Sequence, residues 1–378
     1  MKRIAFIGVG TRIAHIWSQI ARWEAVEIAA ICDPDPEGAV QRLKNKGADT
    51  AGTVFYGAGE QEKMLDEHKP DGVLIGTRCN LHAAMAEPVL RRGIPLFLEK
   101  PVGITEDDLA LLENADIGKN NTVISFPLRL SVLSQTAKNI VDSGVLGPIA
   151  QIQAVNNVPY GRGYFRKWYR DDSLTGGLFL QKATHDIDVI RYVTGFEPVI
   201  VSAVKSKVIF KGDHPAGLRC SDCAEKMTCP ESVYTLTRLA TEPEQPDTCA
   251  FAVDTGNEDS GTMLLLDAQG RHCVYTQNFV VRKQAGKRQI RIIGQNATLE
   301  FNFTDGLLTV FHHYENRVET HCIDMQDGHA GGDLLLARAF LDVLEGKPSA
   351  SPLSDGIASA RICLRAKQSA EELRFKYI

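Results

Sequence analysis

The sequence lacks the features of a membrane protein, a secreted protein and a nucleic-acid-binding protein. No apolar run approaches the roughly 18 residues that a membrane-spanning helix needs. The chain begins at Met1 directly with a strand-like segment, which leaves no room for a secretory signal peptide. The net charge is −5, whereas proteins that bind nucleic acids usually carry excess lysine and arginine. We therefore expect a cytoplasmic protein that binds neither membranes nor nucleic acids.

The sequence also lacks a disulfide framework, internal repeats and low-complexity segments. The nine cysteines are odd in number, and most are scattered singly through apolar or strand-like segments, which suits a reducing compartment. What is present is the composition of a globular protein, with 44% hydrophobic and 24% charged residues. A chain of 378 residues is too long for one ordinary hydrophobic core, so we expect two domains.

The start of the chain carries the pattern of a dinucleotide-binding fold. A short apolar strand ends at Gly8-Val-Gly10, a helix-like stretch follows, and a second apolar strand at residues 26–32 ends at Asp33. Gly8 permits a tight turn, and Gly10 lets a pyrophosphate approach the helix N-terminus. Asp33 is placed to accept hydrogen bonds from a ribose diol. The third glycine of the usual motif is missing, because Ile13 occupies that position.

Strands and helices continue to alternate as far as residue 126. Further strands are predicted at residues 72–76, 95–98 and 122–126, and helices at residues 82–92 and 105–113. This alternation predicts a parallel, doubly wound sheet that binds its ligand at the carboxyl ends of the strands. Lys100 follows one of these ends, directly before Pro101. Thr105 is suited to cap the helix that follows, and acidic residues fill the first turn of that helix.

The remainder of the chain, residues 127–378, is richer in β-sequence, and we predict a second α/β domain on a large, mostly antiparallel sheet. Leu299, Phe301 and Phe303 alternate with polar residues, which is the period of a half-buried antiparallel strand. Similar segments lie around residues 149–157, 199–210, 261–267, 271–280, 288–293 and 307–312. Helices are predicted at residues 131–143, 333–344 and about 355–373.

A helical stretch after the glycine pair Gly176-Gly177 carries the polar groups from which we expect chemistry. Apolar residues recur at helical spacing along one face, at Leu180, Ala183, Ile187 and Ile190. Another face brings together the polar residues Gln181, Lys182, His185 and Asp188. These groups lie near a helix start, where backbone N–H groups are unpaired. A solvated surface is the alternative interpretation of this face.

A segment without periodicity, at about residues 214–247, fits neither domain. It contains the closely spaced cysteines Cys220, Cys223 and Cys229, and Cys249 and His214 are candidates for a fourth ligand. Thiolates at this spacing on a loop without its own core suit a structural zinc or an iron–sulfur centre. A reduced or disulfide-linked surface insertion is the alternative.

Taken together, these motifs resemble those of the Gfo/Idh/MocA oxidoreductases. The resemblance rests on Gly8-Val-Gly10, Thr77-Arg-Cys-Asn-Leu-His82, Glu99-Lys100-Pro101, Arg129 followed by Gly144-Val-Leu-Gly147, Gly176-Gly177 with His185-Asp-Ile-Asp188, Gly328-His-Ala-Gly-Gly-Asp333 and Ser354-Asp-Gly356. It covers essentially the whole chain, and the Glu-Lys-Pro motif with the distant histidine is its specific part. It implies a Rossmann domain at residues 1–126, an open sheet that often forms the oligomer interface, a nicotinamide cofactor and a sugar, polyol or inositol-like substrate. We therefore expect a homodimer or homotetramer.

The resemblance implies that Lys100 is the catalytic lysine and His185 the catalytic histidine. An imidazole, with an unperturbed pKa near ~6.5, is a suitable base for the proton of a secondary alcohol. A cationic lysine beside the same oxygen stabilises the developing alkoxide. Where many members carry an aspartate four residues before the histidine, this chain has Gln181, followed by Lys182. The partner of the imidazole is therefore left open, and Asp186 and Asp188 are the candidates.

The resemblance and the motifs together give the predicted sites. The residues expected to bind the cofactor are Gly8, Gly10, Thr11, Arg12, Ile13, Asp33, Thr77, Asn80, His82, Glu99, Lys100 and Arg129. Those expected to contact the substrate are Lys100, Tyr160, Arg162, Arg166, Trp168, Lys182, His185 and His329.

Two details refine these expectations. The cofactor is expected to be NAD, because Asp33 would repel a 2′-phosphate and no basic residue in the segment 34–40 could receive one. Arginines interleaved with aromatic residues at 160–170 indicate an anionic substrate. The alternative for these arginines is pairing with acidic residues of a neighbouring subunit.

Three functions are compatible with these residues. The first is NAD-dependent oxidation of a secondary hydroxyl of a sugar, sugar acid or polyol, for which Lys100 and His185 suffice. The second is an NAD-dependent glycosidase, which oxidises, eliminates and re-reduces its substrate and could use Lys182 and His329 as additional base and acid. The third is a non-catalytic NAD-sensing regulator, which would need neither Lys100 nor His185. We favour the first.

Overall fold

A computed structural model describes residues 1–118, 120–238, 246–325 and 329–378 of the chain. The α-helices are α1 (Thr11–Ile20), α2 (Pro36–Lys44), α3 (Gln61–His68), α4 (His82–Arg91), α5 (Glu106–Ala115), α6 (Pro127–Leu130), α7 (Val132–Asp142), α8 (Asp172–Thr175), α9 (Thr184–Thr194), α10 (Val233–Arg238), α11 (Gly332–Leu344) and α12 (Leu353–Glu372). A π-helical turn, Phe179–Ala183, directly precedes α9.

The strands are β1 (Lys2–Val9), β2 (Val26–Cys32), β3 (Val54–Tyr56), β4 (Gly72–Gly76), β5 (Leu96–Leu98), β6 (Thr122–Ile124), β7 (Ile149–Asn157), β8 (Pro198–Ser206), β9 (Ser260–Asp267), β10 (His272–Asn278), β11 (Lys287–Gly294), β12 (Ala297–Asn302), β13 (Leu307–His312), β14 (Val318–Cys322) and β15 (Lys376–Tyr377). Short 3₁₀ turns lie at Cys79–Leu81, Gly161–Phe165, Trp168–Arg170, Cys220–Asp222 and Lys283–Ala285.

The chain divides into two compact units. The first consists of Met1–Lys138, Ile187–Val193 and Asp324–Arg361, and the second of Asn139–Asp186, Thr194–Ile323 and Ile362–Ile378. The sequence predicted two consecutive domains, 1–126 and 127–378. In the structure each unit draws on three separate segments, so the chain passes from one unit to the other several times.

The first unit is built on a six-stranded sheet in the order β3-β2-β1-β4-β5-β6. All of its neighbouring strands are parallel, which confirms the predicted doubly wound sheet. The direction of winding reverses between β1 and β4, and a crevice for a ligand forms at this point in folds of this kind. The core of this unit includes the fully buried Ile4, Phe6, Leu74 and Phe97.

Gly76 in β4 takes over the function of the missing third glycine of the dinucleotide motif. In that motif the third glycine allows the first helix to pack closely on the sheet. Here Ile13 of α1 is fully buried, and a Cβ built on Gly76 would lie 2.1 Å from Ile13 Cγ1. The close packing is therefore retained, with the glycine on the strand instead of the helix.

Replacing Gly76 by alanine is expected to lower the free energy of unfolding by about 1–3 kcal/mol, because the added methyl group would overlap Ile13 in a filled core. Gly163→Ala is the matched control, since a Cβ at Gly163 meets no atom within 4 Å. Denaturant unfolding of both variants measures the effect. Equal stability of the two variants would contradict this account of the packing.

Helix α5 begins as the sequence predicted. Thr105 Oγ1 accepts a hydrogen bond from Asp108 N at 3.1 Å, and Asp108 Oδ2 accepts one from Thr105 N at 3.0 Å. The two side chains satisfy each other's backbone N–H groups, which is the reciprocal arrangement of a capping box.

The second unit is built on a nine-stranded sheet in the order β14-β13-β12-β11-β7-β10-β9-β8-β15. Only β7 and β10 are parallel neighbours in the described sheet, and the other pairs are antiparallel. Buried and more exposed residues alternate along β9 and β10, so one face of the sheet is buried. The predicted large, mostly antiparallel sheet is confirmed. No helix in the four described ranges is both long enough and apolar enough to cross a membrane.

Candidate active site

The glycine loop after β1 has the shape of a phosphate-binding turn. Gly8 has φ of 73°, and a Cβ on it would lie 2.6 Å from Thr77 Cγ2, so a side chain there is excluded by both conformation and space. Gly10 precedes α1, whose first turn has no side-chain cap and no acidic residue. The free N–H groups at this helix start suit an anionic pyrophosphate. Thr11 is exposed at the same helix start.

Asp33, predicted to bind a ribose diol, also holds the glycine loop. Its Oδ2 accepts a hydrogen bond from Val9 N at 2.7 Å, and its Oδ1 accepts one from Asp35 N at 2.8 Å. A carboxylate can accept about four hydrogen bonds, so two positions are left for a ligand. Arg42, which sequence reasoning missed, donates to Val9 O at 2.6 Å and lies 3.4 Å from Asp35 Oδ2. Thus α2 supports the loop as well.

Lys100 follows β5 at the carboxyl edge of the parallel sheet, as predicted. The peptide bond between Lys100 and Pro101 is cis. His82 fixes this turn, because its Nδ1 lies 2.6 Å from Pro101 O and its Nε2 lies 3.3 Å from Thr77 O. Burial lowers the pKa of His82, so the imidazole is neutral at neutral pH and has one N–H, which Nδ1 donates to Pro101 O. Nε2 then lies beside Thr77 O without donating to it. His82 therefore packs between two segments predicted to contact the cofactor and forms its hydrogen bond to one of them. Nearby in sequence, the buried Oδ1 of Asn80 has no hydrogen-bond partner among the described residues.

Asp333, at the start of α11, contacts three basic side chains within the first unit. Arg12 donates to it at 2.6 Å, and the ring nitrogens of His329 and His15 lie 3.1 and 3.2 Å away. Burial would raise the pKa of Asp333, but hydrogen bonds from His329 and Arg12 hold that pKa well below its usual range. Arg12 also lies 3.4 Å from Glu99. Both Arg12 and His329, expected at the cofactor and the substrate, thus have carboxylate partners in this unit. Gly328 lies outside the described residues.

Arg129, expected at the cofactor, lies at the centre of a buried ion-pair cluster in the first unit. Its guanidinium forms two hydrogen bonds with the carboxylate of Asp188, one of them at 2.9 Å, and one with Asp355 at 2.7 Å. Arg129 is 3% exposed and Asp188 is fully buried. Arg129 is therefore held by two carboxylates, and its contact with the cofactor stays a prediction. Asp188, a candidate partner of His185, makes its hydrogen bonds to Arg129.

The π-helical turn and α9 carry the polar groups singled out in the sequence, and Glu258 fixes the start of this segment. The backbone N–H groups of Leu178 and Phe179 donate to Glu258 Oε1 at 3.0 and 3.1 Å. Burial raises the pKa of Glu258. Single π-helical turns inside helices are frequent at functional sites. This one ends directly before the turn that contains His185.

Lys182 and Asp186 are both held by contacts within the second unit. Lys182 Nζ donates a hydrogen bond to Tyr160 OH at 2.6 Å. The carboxylate of Asp186 accepts from Asn156 Nδ2 at 2.8 Å, Tyr275 OH at 2.8 Å and Arg288 Nε at 2.6 Å. Asp186 is thus engaged with three other side chains. His185 lies between these two residues on the same helical segment. Lys100 belongs to the first unit and His185 to the second, so their common site stays a prediction.

The arginines expected to bind an anionic substrate have partners within the second unit, and their contact with a substrate stays a prediction. Arg162 is 6% exposed and pairs with Glu231 at 2.5 Å. Arg166 is 2% exposed and donates to Thr248 O at 2.8 Å, among other carbonyl groups. Arg170 pairs with an acidic residue of the same unit at 2.6 Å. The acceptors follow some 65–84 residues later in the chain, and no local sequence pattern indicates partners at such a separation. Trp168 is half-buried and stacks on the ring of Tyr169.

The cysteine insertion does not support the predicted metal. Cys220, Cys223, Cys229 and Cys249 line a small cavity of about 20 Å³. Across the described residues, no three or more histidine, cysteine, aspartate or glutamate side chains are grouped so that they could hold a metal ion. One of these sulfurs, Cys220 Sγ, instead accepts a weak hydrogen bond from the guanidinium of Arg166 at 3.7 Å, and a cation in this position would repel a metal ion. Residues 239–245 of the insertion lie outside the described residues.

Two family models match the chain over consecutive segments. Residues 2–124 match the oxidoreductase family with an NAD-binding Rossmann fold. Residues 134–300 match the GFO/IDH/MocA C-terminal domain. The chain belongs to the Gfo/Idh/MocA family. It is therefore a member of an oxidoreductase family with an NAD-binding Rossmann domain, as the motifs indicated. The match does not test the prediction made for the cysteine-rich insertion.

The proteins to which this Gfo/Idh/MocA chain is similar have names that indicate different activities. The Bacillus subtilis (strain 168) protein YteT is 22% identical in an alignment of 388 positions that covers 90% of this chain and 89% of YteT. Glycosyl hydrolase family 109 protein 2 of Akkermansia muciniphila is 30% identical over 159 residues, 40% of this chain and 33% of that protein. A solved structure of levoglucosan dehydrogenase with NADH and levoglucosan aligns with a TM-score of 0.78 at 18% identity. That alignment covers 100% of this chain and 99% of the dehydrogenase.

Proposed function

We propose that this Gfo/Idh/MocA member is an NAD-dependent oxidoreductase that oxidises a secondary hydroxyl of a sugar, sugar acid or polyol. The single observation that carries the proposal is the position of Lys100 at the carboxyl edge of the parallel sheet, in a turn held by His82. The fold shared with levoglucosan dehydrogenase is consistent with a carbohydrate substrate. The expected partners are a small carbohydrate and further copies of the chain in a homodimer or homotetramer. That assembly and a cytoplasmic location stay predictions.

The residues around the first sheet suit a nicotinamide dinucleotide. Gly8 keeps the turn after β1 tight against Thr77. The start of α1 has no acidic residue and no side-chain cap, so its N–H groups can receive the pyrophosphate, and Asp33 keeps acceptor positions for the ribose. The buried Oδ1 of Asn80 has no hydrogen-bond partner among the described residues and can accept one from the cofactor. When bound, NAD supplies the hydride acceptor.

In this proposal the roles of the side chains follow from their charge. Lys100 stabilises the negative charge that develops on the substrate oxygen. The imidazole of His185 accepts the proton of the hydroxyl. His82 and Pro101 keep the Lys100 turn in place, and Glu258 keeps the start of the His185 segment in place.

The protein is expected to bind NAD at least tenfold more tightly than NADP, because a 2′-phosphate would meet the carboxylate of Asp33. Arg42 does not reverse this preference, since it already contacts Val9 O and Asp35. Calorimetric titration with each cofactor measures the difference, and Asp33→Ala provides the comparison in which the preference should weaken. NADP binding as tightly as NAD to the unaltered protein would be the opposite result.

An NAD-dependent glycosidase is the second candidate, favoured by the similarity to a glycosyl hydrolase family 109 protein. A dehydrogenase accumulates NADH in step with its product. The glycosidase would cleave many glycosides per cofactor without net NADH, and it would introduce solvent deuterium beside the oxidised carbon. Incubating the purified protein with NAD and a panel of sugars and glycosides separates the two. Catalytic release of aglycone at constant NADH would refute the dehydrogenase, and a lack of any turnover would favour the non-catalytic sensor.

The charge of the substrate is tested in the same panel. Because Arg162 and Arg166 are buried in contacts within the second unit, they give no support to an anionic substrate. Neutral sugars are therefore to be compared directly with their uronates.

A further inference from the structure

A tyrosine–lysine pair in the second unit has no role in the reaction as proposed above. Lys182 Nζ donates a hydrogen bond to Tyr160 OH at 2.6 Å, and it lies 4.7 Å from the centroid of the Tyr160 ring and 5.8 Å from that of Tyr164. Lys182 is 6% exposed, whereas Tyr160 is 58% exposed. The pair thus joins a cation that is shielded from solvent to a tyrosine that is accessible.

The turn that carries Tyr160 is fixed on both sides. A Cβ on Gly161 would lie 2.4 Å from Phe279 O, and a Cβ on Gly286 would lie 2.7 Å from Pro159 Cγ. Such close approaches leave little freedom to the residue between Pro159 and Gly161. The backbone at Tyr160 is therefore held by the packing of its own turn, and the hydrogen bond from Lys182 holds the phenol oxygen.

The two side chains of this pair have pKa values shifted in opposite directions. The charge of Lys182 lowers the pKa of Tyr160, and Arg288 acts in the same direction, while Asp186 opposes them. For Lys182 itself, burial favours loss of the proton, but Tyr160 and Tyr164 outweigh it and raise the pKa of the amine, against the effect of Arg288. Because Lys182 donates the hydrogen bond of the pair, the hydroxyl proton of Tyr160 is not used in it. The accessible phenol is therefore the member of the pair that can exchange a proton with solvent.

We propose that Tyr160 is a further proton-transfer residue of this protein and that Lys182 is its positioning residue. The proposal rests on the proposed oxidation of a secondary hydroxyl, in which His185 takes up the hydroxyl proton. His185 follows Lys182 by three residues, so the two side chains lie on neighbouring turns. The N–H bond of the protonated imidazole breaks and leaves its electron pair on nitrogen, and an O–H bond forms on the phenolate of Tyr160. The phenol then releases the proton to water and the imidazole is ready for the next turnover.

The pH profile of alcohol oxidation tests this transfer. Because the phenolate is the acceptor, the rate should rise with pH as Tyr160 ionises. Tyr160→Phe is expected to lower kcat by roughly tenfold to a hundredfold and to abolish this rise, with a smaller effect on KM. Tyr164→Phe is the matched control, since it removes the other phenol beside Lys182 and should keep the rise. An active Tyr160→Phe protein with the profile of the unaltered protein would overturn the proposal.

A second measurement does not depend on turnover. Near-ultraviolet absorbance follows the ionisation of tyrosine in the protein without substrate, and subtracting the titration of Tyr160→Phe isolates Tyr160. Its midpoint should lie below the ordinary tyrosine value of about 10 and move upward in Lys182→Met but much less in Lys182→Arg. The same midpoint in Lys182→Met and in the unaltered protein would overturn the pairing. If no alcohol is oxidised at any pH although the titrations shift as expected, the proposed function fails and the proton transfer fails with it.

Discussion

Lys100→Ala and His185→Ala should each reduce turnover roughly a hundredfold or more while leaving the protein folded. The first change removes the cation that stabilises the developing alkoxide, and the second removes the base for its proton. Both residues are expected to affect kcat more than KM, because their interactions strengthen as the hydroxyl is oxidised. Steady-state kinetics with the best substrate from the sugar panel, together with melting temperatures, measure both effects.

The controls for these variants remove the same type of side chain elsewhere. Lys63→Ala deletes a lysine whose side chain is 58% exposed and lies 3.5 Å from Glu60. His313→Ala deletes an exposed histidine next to Thr298. Both controls should retain most of the activity. If Lys100→Ala or His185→Ala were as active as its control, the active site would have been assigned to the wrong residues.

Arg129→Met should destabilise the protein by about 3–5 kcal/mol, because it leaves the fully buried carboxylate of Asp188 without its bidentate partner. Removing both charges should lower the free energy of unfolding by less than removing one. The double variant Arg129→Met with Asp188→Asn is therefore expected to be more stable than Arg129→Met alone. Denaturant unfolding of the single and double variants measures this coupling.

Arg338→Met is the matched control for the buried pair. Arg338 and Asp342 lie 2.7 Å apart on α11, but their side chains are 31% and 28% exposed. A partly exposed pair of this kind contributes about 0–1 kcal/mol. If Arg129→Met lowered the free energy of unfolding by no more than Arg338→Met does, the structural role of the cluster would be contradicted. If Arg129→Met kept its stability but lost NAD binding, the cofactor contact predicted for Arg129 would explain the residue instead.

The sequence alone determined those parts of the molecule that depend on neighbouring residues. The bounds of β2, β4, β7 and β13 are as predicted, because apolar runs and alternation report burial within a few positions. The cap at Thr105 and the turn at Gly8 were also predictable, since capping and positive φ are local properties. The short elements α2, α3, α6, α8, α10, β3, β14 and β15 were missed. In β3, for example, two of the three residues are exposed, so no apolar pattern marks it.

The tertiary structure decided which distant residues meet. Gly76 replaces the glycine missing at Ile13, although 63 positions in the chain separate the two. Glu231 forms an ion pair with Arg162, which the sequence analysis assigned to substrate binding. Glu258 caps the segment that leads to His185. A side chain's type and local period indicate its charge and the face on which it lies. They do not indicate which partner from a remote segment will be folded against it, because that depends on how the sheets and helices pack.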